Sequence, residues 1–317
     1  MSRRTSTTRR SSHVAPRASF QGRLALSLGI TAGFVLVEVV AGLLANSLAL
    51  LTDAAHNLTD VLALALTWYA LRIQQRPAGA MNTYGNHRAG ILVALVNSTT
   101  LVLISLGVFY EAYQRLVAPR EVVPQILVLV GSLAVIVNLT TALLIRRRGE
   151  TDLNVRAAFL HLMGDVASTA AAVVAGIFIY YTGANWLDSI ASVFIGLLIL
   201  YNAWGILRES VNILLEFTPR DVDMTRMVED MLRIKGVQGV HDLHVWSLTT
   251  NLRTMSAHVL TDDVPLSSGS QIQRELNALL AIRYGIDHAT LQLECVNCGP
   301  EGLYCGLEGS DDGHVHH

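Results

Sequence analysis

Two apolar stretches of this sequence contain the same pair of ionisable residues, a histidine followed four positions later by an aspartate. His56 and Asp60 lie in the stretch from Ser47 to Gln74, and His161 and Asp165 lie in a second apolar stretch. On a helix, residues four apart lie on one face, one turn above the other. Two such helices facing each other would present two imidazoles and two carboxylates, a tetrahedral donor set that suits zinc.

A single polar pair in a membrane helix also has a purely structural explanation, as a hydrogen-bonding contact between helices. The repetition of the pair favours a metal site, because ionisable residues within a membrane are costly and mark ion or proton pathways. Asp53 lies three residues before His56, on nearly the same helix face. We interpret Glu38, Asn97 and Asn138 as interhelical hydrogen-bonding groups.

The composition indicates a membrane protein with additional soluble mass. Hydrophobic residues make up 51% of the chain and charged residues only 15%, against about 25% charged residues in a soluble domain. Residues 206–317 hold 8 basic and 16 acidic residues, a net charge of −8, whereas residues 1–205 hold 15 and 9, a net charge of +6. An acidic soluble region argues against nucleic acid as a partner and suits the attraction of cations.

Cysteine and arginine usage predicts the compartment and the source. The three cysteines are an odd number, which argues against a disulfide framework and favours reduced thiols in the cytosol. Lys235 is the only lysine among 23 basic residues. This arginine bias favours a high-GC genome and therefore a bacterial source.

Six apolar segments reach the length that a bilayer-spanning helix requires. They are approximately Leu24 to Leu44, Ser47 to Ile73, Ala89 to Leu116, Val122 to Ile145, Val155 to Tyr181 and Trp186 to Leu207. Arginines concentrate in the connections after the second and fourth segments, which predicts that both termini are cytosolic. We therefore predict a disordered basic arm over residues 1–19 and an all-α bundle of six transmembrane helices over residues 20–208.

This topology places the two pairs at similar depth, near the middle of an apolar core of about 30 Å. The fifth segment is also rich in small residues between Gly164 and Gly176. Small residues allow close helix packing, which favours the approach of the two helices that carry the pairs.

The residues after the sixth segment predict a small α+β domain over 209–298. Apolar residues recur at helical spacing from Met224 to Leu232, and a second amphipathic helix contains Ile272 to Leu280. Strands are predicted over Val240 to Leu248, Thr254 to Thr261 and Ala289 to Glu294. The order αββαβ is typical of a two-layer domain. Residues 299–317 form a tail containing cysteine and histidine.

The predicted donor set couples metal to protons. Two carboxylates and two neutral imidazoles balance the charge of a dication, whereas the empty buried site must be neutralised by protons on the same groups. Metal and protons therefore compete, and alternating access would convert this competition into antiport. An enzyme is not expected, because the His-Glu-x-x-His and Gly-x-Ser-x-Gly motifs are absent and four protein ligands close the metal's coordination shell. A membrane zinc sensor without transport is the alternative.

The sequence resembles the cation diffusion facilitator family, in its zinc-transporting branch. The resemblance covers residues 20–298 and rests on SLALLTDAAHNLTD from Ser47 to Asp60, the second His-Asp pair, TYG-x-x-R at Thr83 to Arg88, and VHDLHVWSLT at Val240 to Thr249. It implies a homodimeric zinc/proton antiporter of the cytoplasmic membrane, with a cytosolic metallochaperone-like domain that binds additional zinc. Cadmium and cobalt are alternative substrates.

The resemblance also implies further metal ligands in the cytosolic domain. Those ligands are His241, His258, His288 and Glu294, with His244 as an alternate, and a weaker likeness concerns Cys298 and Cys305. Without the resemblance, each histidine would be interpreted as a residue of the strand surface or the core. The connection from Arg146 to Leu153 lacks the histidines that form a His-rich loop in some members. The tail histidines His314, His316 and His317 are either a weak metal site or solvated residues.

Overall fold

The computed structural model describes residues 15–146 and 153–295. Six long helices come first, followed by a domain with two further helices and three strands. The helices are α1 (Ala15–Ala45), α2 (Leu48–Gln74), α3 (Ala89–Val117), α4 (Pro124–Arg146), α5 (Leu153–Thr182), α6 (Trp186–Leu214), α7 (Met224–Leu232) and α8 (Leu266–Tyr284). The strands are β1 (Val237–Ser247), β2 (Arg253–Thr261) and β3 (Ile286–Glu294).

The long helices lie where the apolar segments predict them, with two differences in length. The first helix begins at Ala15, inside the stretch predicted to be a disordered arm, whose first fourteen residues lie outside the described part of the chain. The sixth helix continues to Leu214, seven residues beyond the predicted end at Leu207. We predicted the end of this helix at Leu207 because polar residues begin there. The helix continues because its backbone hydrogen bonds do not depend on apolar side chains.

Four of the described helices are long and apolar enough to cross a membrane: α3, most of α4, α5 from Leu162, and α6. The described apolar part of α1 is shorter, from Gly29 to Ala45. The span of α2 is interrupted by the ionisable residues Asp53, His56 and Asp60. Large apolar side chains such as Leu103, Leu129 and Phe178 are exposed on the helices. Such exposure is typical of a surface that contacts lipid.

The described residues form two compact units. The first unit contains the described residues of 1–68 and 96–206, and the second contains those of 69–95 and 207–317. The connection between α2 and α3, which the sequence pattern assigns to the membrane domain, therefore belongs with the C-terminal residues. Its contacts explain this: Arg88 forms an ion pair of 2.7 Å with Glu216, and the Tyr84 ring meets the His288 ring edge-on with centroids 6.0 Å apart.

Small residues in α5 permit a close approach to α4. A Cβ atom added at Gly176 would lie 2.9 Å from a methyl carbon of Val128, and one added at Gly131 would lie 2.8 Å from a methyl carbon of Val173. These distances are too short for any larger residue. Gly176, one of the small residues that we expected to bring α5 towards α2, thus packs α5 against α4.

The three strands form one mixed sheet in the order β1-β2-β3. Strands β1 and β2 are antiparallel, whereas β2 and β3 are parallel and are connected through α8. The side chain of Asp223 caps α7 by accepting the backbone N–H of Arg226, and Gly285 ends α8 in the left-handed conformation that glycine favours. The domain therefore has the predicted αββαβ order and two layers.

Both helices pack on the sheet around a continuous apolar core. Met227 and Met231 of α7 and Leu276 and Leu280 of α8 are fully buried in this core, together with residues of all three strands. The methionines thus have the core-packing role that their spacing predicts. The opposite layer, the sheet, carries the histidines.

Candidate metal centres

Three of the four predicted membrane ligands are described with their side chains, and they meet in the first unit. His56 and Asp60 lie on α2 and Asp165 lies on α5; their donor atoms are all within 4.8 Å of one another. His56 Nε2 lies 3.3 Å from Asp165 Oδ1 and 3.7 Å from Asp60 Oδ2. Donors bound tetrahedrally to zinc at about 2.0–2.1 Å lie roughly 3.3 Å apart. We call these three residues the membrane cluster.

His161 lies in α5, four residues before Asp165. Its position in the helix agrees with the pairing that the sequence predicts. Its role as the fourth ligand stays a prediction.

Residues next to the membrane cluster connect the helices that carry it. Thr169 of α5 donates a hydrogen bond of 2.8 Å to Asp53 Oδ2 of α2, and the same hydroxyl lies 2.8 Å from the Asp165 carbonyl oxygen. Asn57 of α2 donates to Glu38 Oε2 of α1 at 3.2 Å. These bonds orient α2 relative to its neighbours on both sides of the cluster. The prediction that Glu38 forms an interhelical hydrogen bond is confirmed, whereas the Asn138 amide nitrogen has no acceptor among the described residues.

A second cluster lies on the sheet of the C-terminal domain. It contains His241 of β1, His258 of β2 and Glu294 of β3. His241 Nε2 lies 3.2 Å from Glu294 Oε2, and His258 Nδ1 lies 2.9 Å from Glu294 Oε1. His241 pairs directly with His258, and Glu294 pairs with the residue two positions after His258. We call these three residues the cytosolic cluster; their donors fit a zinc ion.

The other predicted ligands lie elsewhere. His288 pairs with Thr254, at the opposite end of β2 from Glu294, and its ring contacts Tyr84. The structure therefore does not bring His288 to the cytosolic cluster within one chain. His244 lies beyond an irregularity in β1 and contacts Asp242, not Glu294. Cys298, Cys305 and the tail histidines lie outside the described residues, and the described Cys295 is exposed.

Sequence reasoning missed two residues beside these clusters. Asp242 has a positive φ of 48° and places its carboxylate 3.6 Å from His258 Nε2 and 3.1 Å from His244 Nε2. Thr169 is the other, since it links Asp53 to the backbone of Asp165. A polar residue four positions after a ligand was the available signal for Thr169, whereas nothing in the sequence indicates the irregular strand at Asp242.

An ionic network fixes the two helices behind the sheet. Asp230 of α7 accepts hydrogen bonds of 2.6 Å from the Tyr284 hydroxyl and from Arg283, and one of 3.0 Å from Arg233. The Tyr284 hydroxyl and these arginines hold the pKa of Asp230 below its usual value. Burial, together with the bond to Asp230, raises the pKa of Tyr284 to about 12. The network therefore ties α7 to α8 in its charged form.

Family models of known proteins match most of the chain. The family model for the cation efflux transmembrane domain matches residues 24–215, and the model for the cation efflux protein cytoplasmic domain matches residues 219–296. The chain is 36% identical over 275 residues to the metal cation efflux system protein CzcD of Cupriavidus metallidurans, with 87% of each chain covered.

Two further relatives are similar over comparable lengths. The chain is 37% identical over 310 residues to the zinc transporter ZitB of Escherichia coli, with 97% of each chain covered. It is 34% identical over 274 residues to the cadmium, cobalt and zinc/H(+)-K(+) antiporter of Bacillus subtilis, covering 86% of this chain and 88% of that protein.

Proposed function

Because the chain belongs to the cation efflux family of membrane transporters, we propose that it exports zinc in exchange for protons. The transport site consists of His56, Asp60, His161 and Asp165. The observation that supports it most directly is the membrane cluster, in which donors from α2 and α5 lie within 4.8 Å of one another inside a helical unit with an apolar surface. Buried polar groups of this kind at membrane depth mark ion pathways.

The chemistry of this donor set explains why zinc and protons would exchange. Two carboxylates and two neutral imidazoles cancel the charge of Zn²⁺, so the loaded site is electrically neutral. Without the metal, the buried carboxylates repel each other and attract protons. Zinc binding then requires the loss of protons from the same groups, and proton binding displaces zinc. Opening the site alternately to the two sides of the membrane turns this competition into antiport.

The proposal includes six transmembrane helices and cytosolic termini. Helices α1 and α2 add two spans to the four helices that are long and apolar enough to cross a membrane. Helix α2 is less apolar because it carries Asp53, His56 and Asp60. The arginine-rich connections after α2 and α4 support cytosolic placement of these connections and of both termini. The protein then acts in the cytoplasmic membrane, with the sheet domain on the cytosolic side.

We assign the cytosolic cluster to a second zinc site and the C-terminal domain to dimerisation. Two imidazoles and one carboxylate leave a coordination position open for a further ligand. The match to the cytoplasmic domain model of the family supports this role. The names of the relatives, which include cadmium, cobalt and protons beside zinc, support a divalent-cation antiporter with those metals as alternative substrates. They do not favour a sensor without transport.

The proposal is tested with the full-length protein in liposomes that contain a zinc-sensitive dye. An imposed pH gradient, acidic inside, should drive zinc uptake, and manganese should be taken up poorly. Asp60→Ala should abolish uptake, whereas Ser105→Ala should not, because the Ser105 hydroxyl is buried and, among the described residues, donates only to the Leu101 carbonyl oxygen of its own helix. Zinc uptake by the Asp60→Ala protein at the normal rate would refute the assigned site.

A further inference from the structure

The helix that carries His56 and Asp60 is held at its first turn by a carboxylate from another helix. Asp188, in the first turn of α6, is only 1% exposed. Asp188 Oδ1 accepts a hydrogen bond of 2.6 Å from the Ser47 hydroxyl, and Oδ2 accepts one of 2.7 Å from the backbone N–H of Leu48. The backbone nitrogen of Ala49 lies 3.4 Å from Oδ1. Asp188 thus serves α2 as a capping residue that the local sequence does not supply alone.

Capping by a distant residue has a consequence that local capping lacks. The first four N–H groups of a helix have no partner within the helix, and the helix dipole adds partial positive charge at this end. A carboxylate accepts hydrogen bonds from these N–H groups, and its negative charge interacts favourably with the partial positive charge. Because Asp188 lies 140 residues from Leu48 along the chain, the same bonds that start α2 also fix its end against α6. Because Ser47, Leu48 and Asp188 are buried, breaking these bonds would leave buried polar groups unpaired.

A buried arginine fixes the same corner from a third helix. Arg115 of α3 donates to the Asn46 carbonyl oxygen at 2.6 Å and to Asn46 Oδ1 at 3.2 Å. Its Nη1 lies 3.9 Å from Asp188 Oδ2, which balances the buried negative charge. Asn46, with a positive φ of 51°, forms the turn between α1 and α2. The corner that precedes the ligand-bearing part of α2 is therefore defined by α3 and α6 together.

This corner is directly coupled to both ligand-bearing helices. His56 lies eight residues after Leu48, about 12 Å along a rigid helix. Asp188 follows the short turn at residues 183–185 that joins α5, which carries Asp165, to α6. One carboxylate thus connects the start of α2 to the α5–α6 corner. A displacement of this contact shifts His56 relative to Asp165. The donor atoms of these two residues must lie roughly 3.3 Å apart to bind one zinc ion.

We propose that Asp188 is a positioning residue for the transport site, which holds the α2 ligands in register with those of α5. This inference rests on the proposed function. A residue that only stabilised the fold would change the amount of folded protein and its melting temperature. A positioning residue also changes zinc affinity in the protein that remains folded.

The test uses full-length protein in which alanines replace the cytosolic cluster, Cys298, Cys305 and the tail histidines His314, His316 and His317, so that the membrane site is the one proposed zinc site left. The Kd for zinc is measured by competition with a chromophoric chelator, and KM and maximal rate are measured in liposomes. Asp188→Ala should raise Kd and KM together by about tenfold or more, the range found when groups that orient metal ligands are lost. Asp188→Asn keeps the acceptor oxygen that caps α2, and Asn caps helices as well as Asp, so the rise should be at most about fivefold, the loss of a charge at a helix end.

Two more variants keep the test decisive if Asp188→Ala does not accumulate. Ser47→Ala removes the bond to Asp188 and also the bond in which Ser47 Oγ accepts the backbone N–H of Leu50, and it should raise the Kd by at least roughly two- to tenfold, the worth of one hydrogen bond. Ser192→Ala is the matched control. In the described part of the chain, its buried hydroxyl donates only to the Asp188 carbonyl oxygen within α6, and the Kd should stay unchanged.

The outcomes separate this inference from the assignment of the transport site. If Asp60→Ala transports normally, the transport site itself is wrong. If Asp60→Ala is inactive while Asp188→Ala and Ser47→Ala show the Kd and KM of the parent protein, the site is right and the positioning role of Asp188 is refuted. A lower melting temperature with unchanged Kd would also refute the positioning role, because Asp188 would then only stabilise the fold.

Discussion

Replacing Asp165 by alanine removes one of the four proposed donors and leaves His56 Nε2 without the carboxylate that lies 3.3 Å away. Four-ligand structural zinc sites bind with an apparent free energy of about 10–16 kcal/mol, or roughly 2.5–4 kcal/mol for each donor. Since each 1.4 kcal/mol is a factor of about ten, the membrane site of Asp165→Ala should bind zinc roughly 100- to 1,000-fold more weakly. Zinc transport measured at concentrations well below the parent protein's KM should fall by a comparable factor.

The assay is zinc competition with a chelator, on protein that lacks the cytosolic cluster. Asp165→Asn provides a matched comparison, because it keeps the size of the side chain and one oxygen donor but loses the charge. Its affinity for zinc should lie between that of the parent protein and that of Asp165→Ala. Ser105→Ala controls for the effect of changing any buried polar group in this unit. A loss of less than about threefold in Asp165→Ala would refute the reasoning that this carboxylate is a direct ligand.

Three other perturbations test separate parts of the description. His56→Asp should shift selectivity from zinc towards manganese in a competition uptake assay, because an oxygen donor replaces an imidazole; an unchanged ratio would argue against His56 as a ligand. Replacing the whole cytosolic cluster by alanine should lower the number of bound zinc ions in native mass spectrometry but only weaken transport, and an unchanged metal count would contradict its assignment. In hydrogen exchange, Tyr284→Phe should weaken protection of α7 and α8 at neutral pH. The lowered pKa of Asp230 stabilises the folded domain above the usual carboxyl value of about 3.9, and this stabilisation is lost as the pH falls through the lower folded value. The difference between Tyr284→Phe and the parent protein should therefore shrink below about pH 4, and a difference that persists there would count against the network.

The positions of the helices and strands could be predicted because their patterns are local. Long apolar runs predict all six long helices, and β-branched residues between turns predict the three strands. The predicted ends of helices and strands were wrong where the end depends on contacts with the rest of the fold. Helix α6 runs past its apolar segment, and strand β3 begins at Ile286 instead of Ala289, because pairing with β2 continues where the sequence pattern is weak.

The candidate metal sites could be predicted in part for the same reason. The four-residue spacing of His56 and Asp60 fixes one helix face, and the repeat near Asp165 indicates its partner. No local rule brings a carboxylate from α6 to the first turn of α2, so the contacts of Asp188 could not be predicted. In the sheet, the irregularity after His241 separates it from His244, and parallel pairing of β2 with β3 places Glu294, not His288, beside His258.

The contacts of residues 69–95 with C-terminal residues could not be predicted from the sequence. The connection between α2 and α3 follows an apolar helix and precedes another, which suggests that it belongs to the membrane domain. The ion pair between Arg88 and Glu216 and the ring contact between Tyr84 and His288 instead group it with the C-terminal residues. Such long-range pairs leave no periodic signal in the sequence.

Zinc binding measured by calorimetry in several buffers tests the central claim of zinc/proton exchange most directly. The protein carries alanines in place of the cytosolic cluster, Cys298, Cys305 and the three tail histidines, so that the heat comes from the membrane site, and the buffers differ in their ionisation enthalpy. If protons and zinc compete for the same four side chains, the measured heat should vary linearly with that enthalpy between about pH 6 and 7.5, with a slope that gives the protons released, and the zinc affinity should fall as the pH is lowered. A heat that is the same in every buffer, with an affinity independent of pH, would contradict proton exchange at this site.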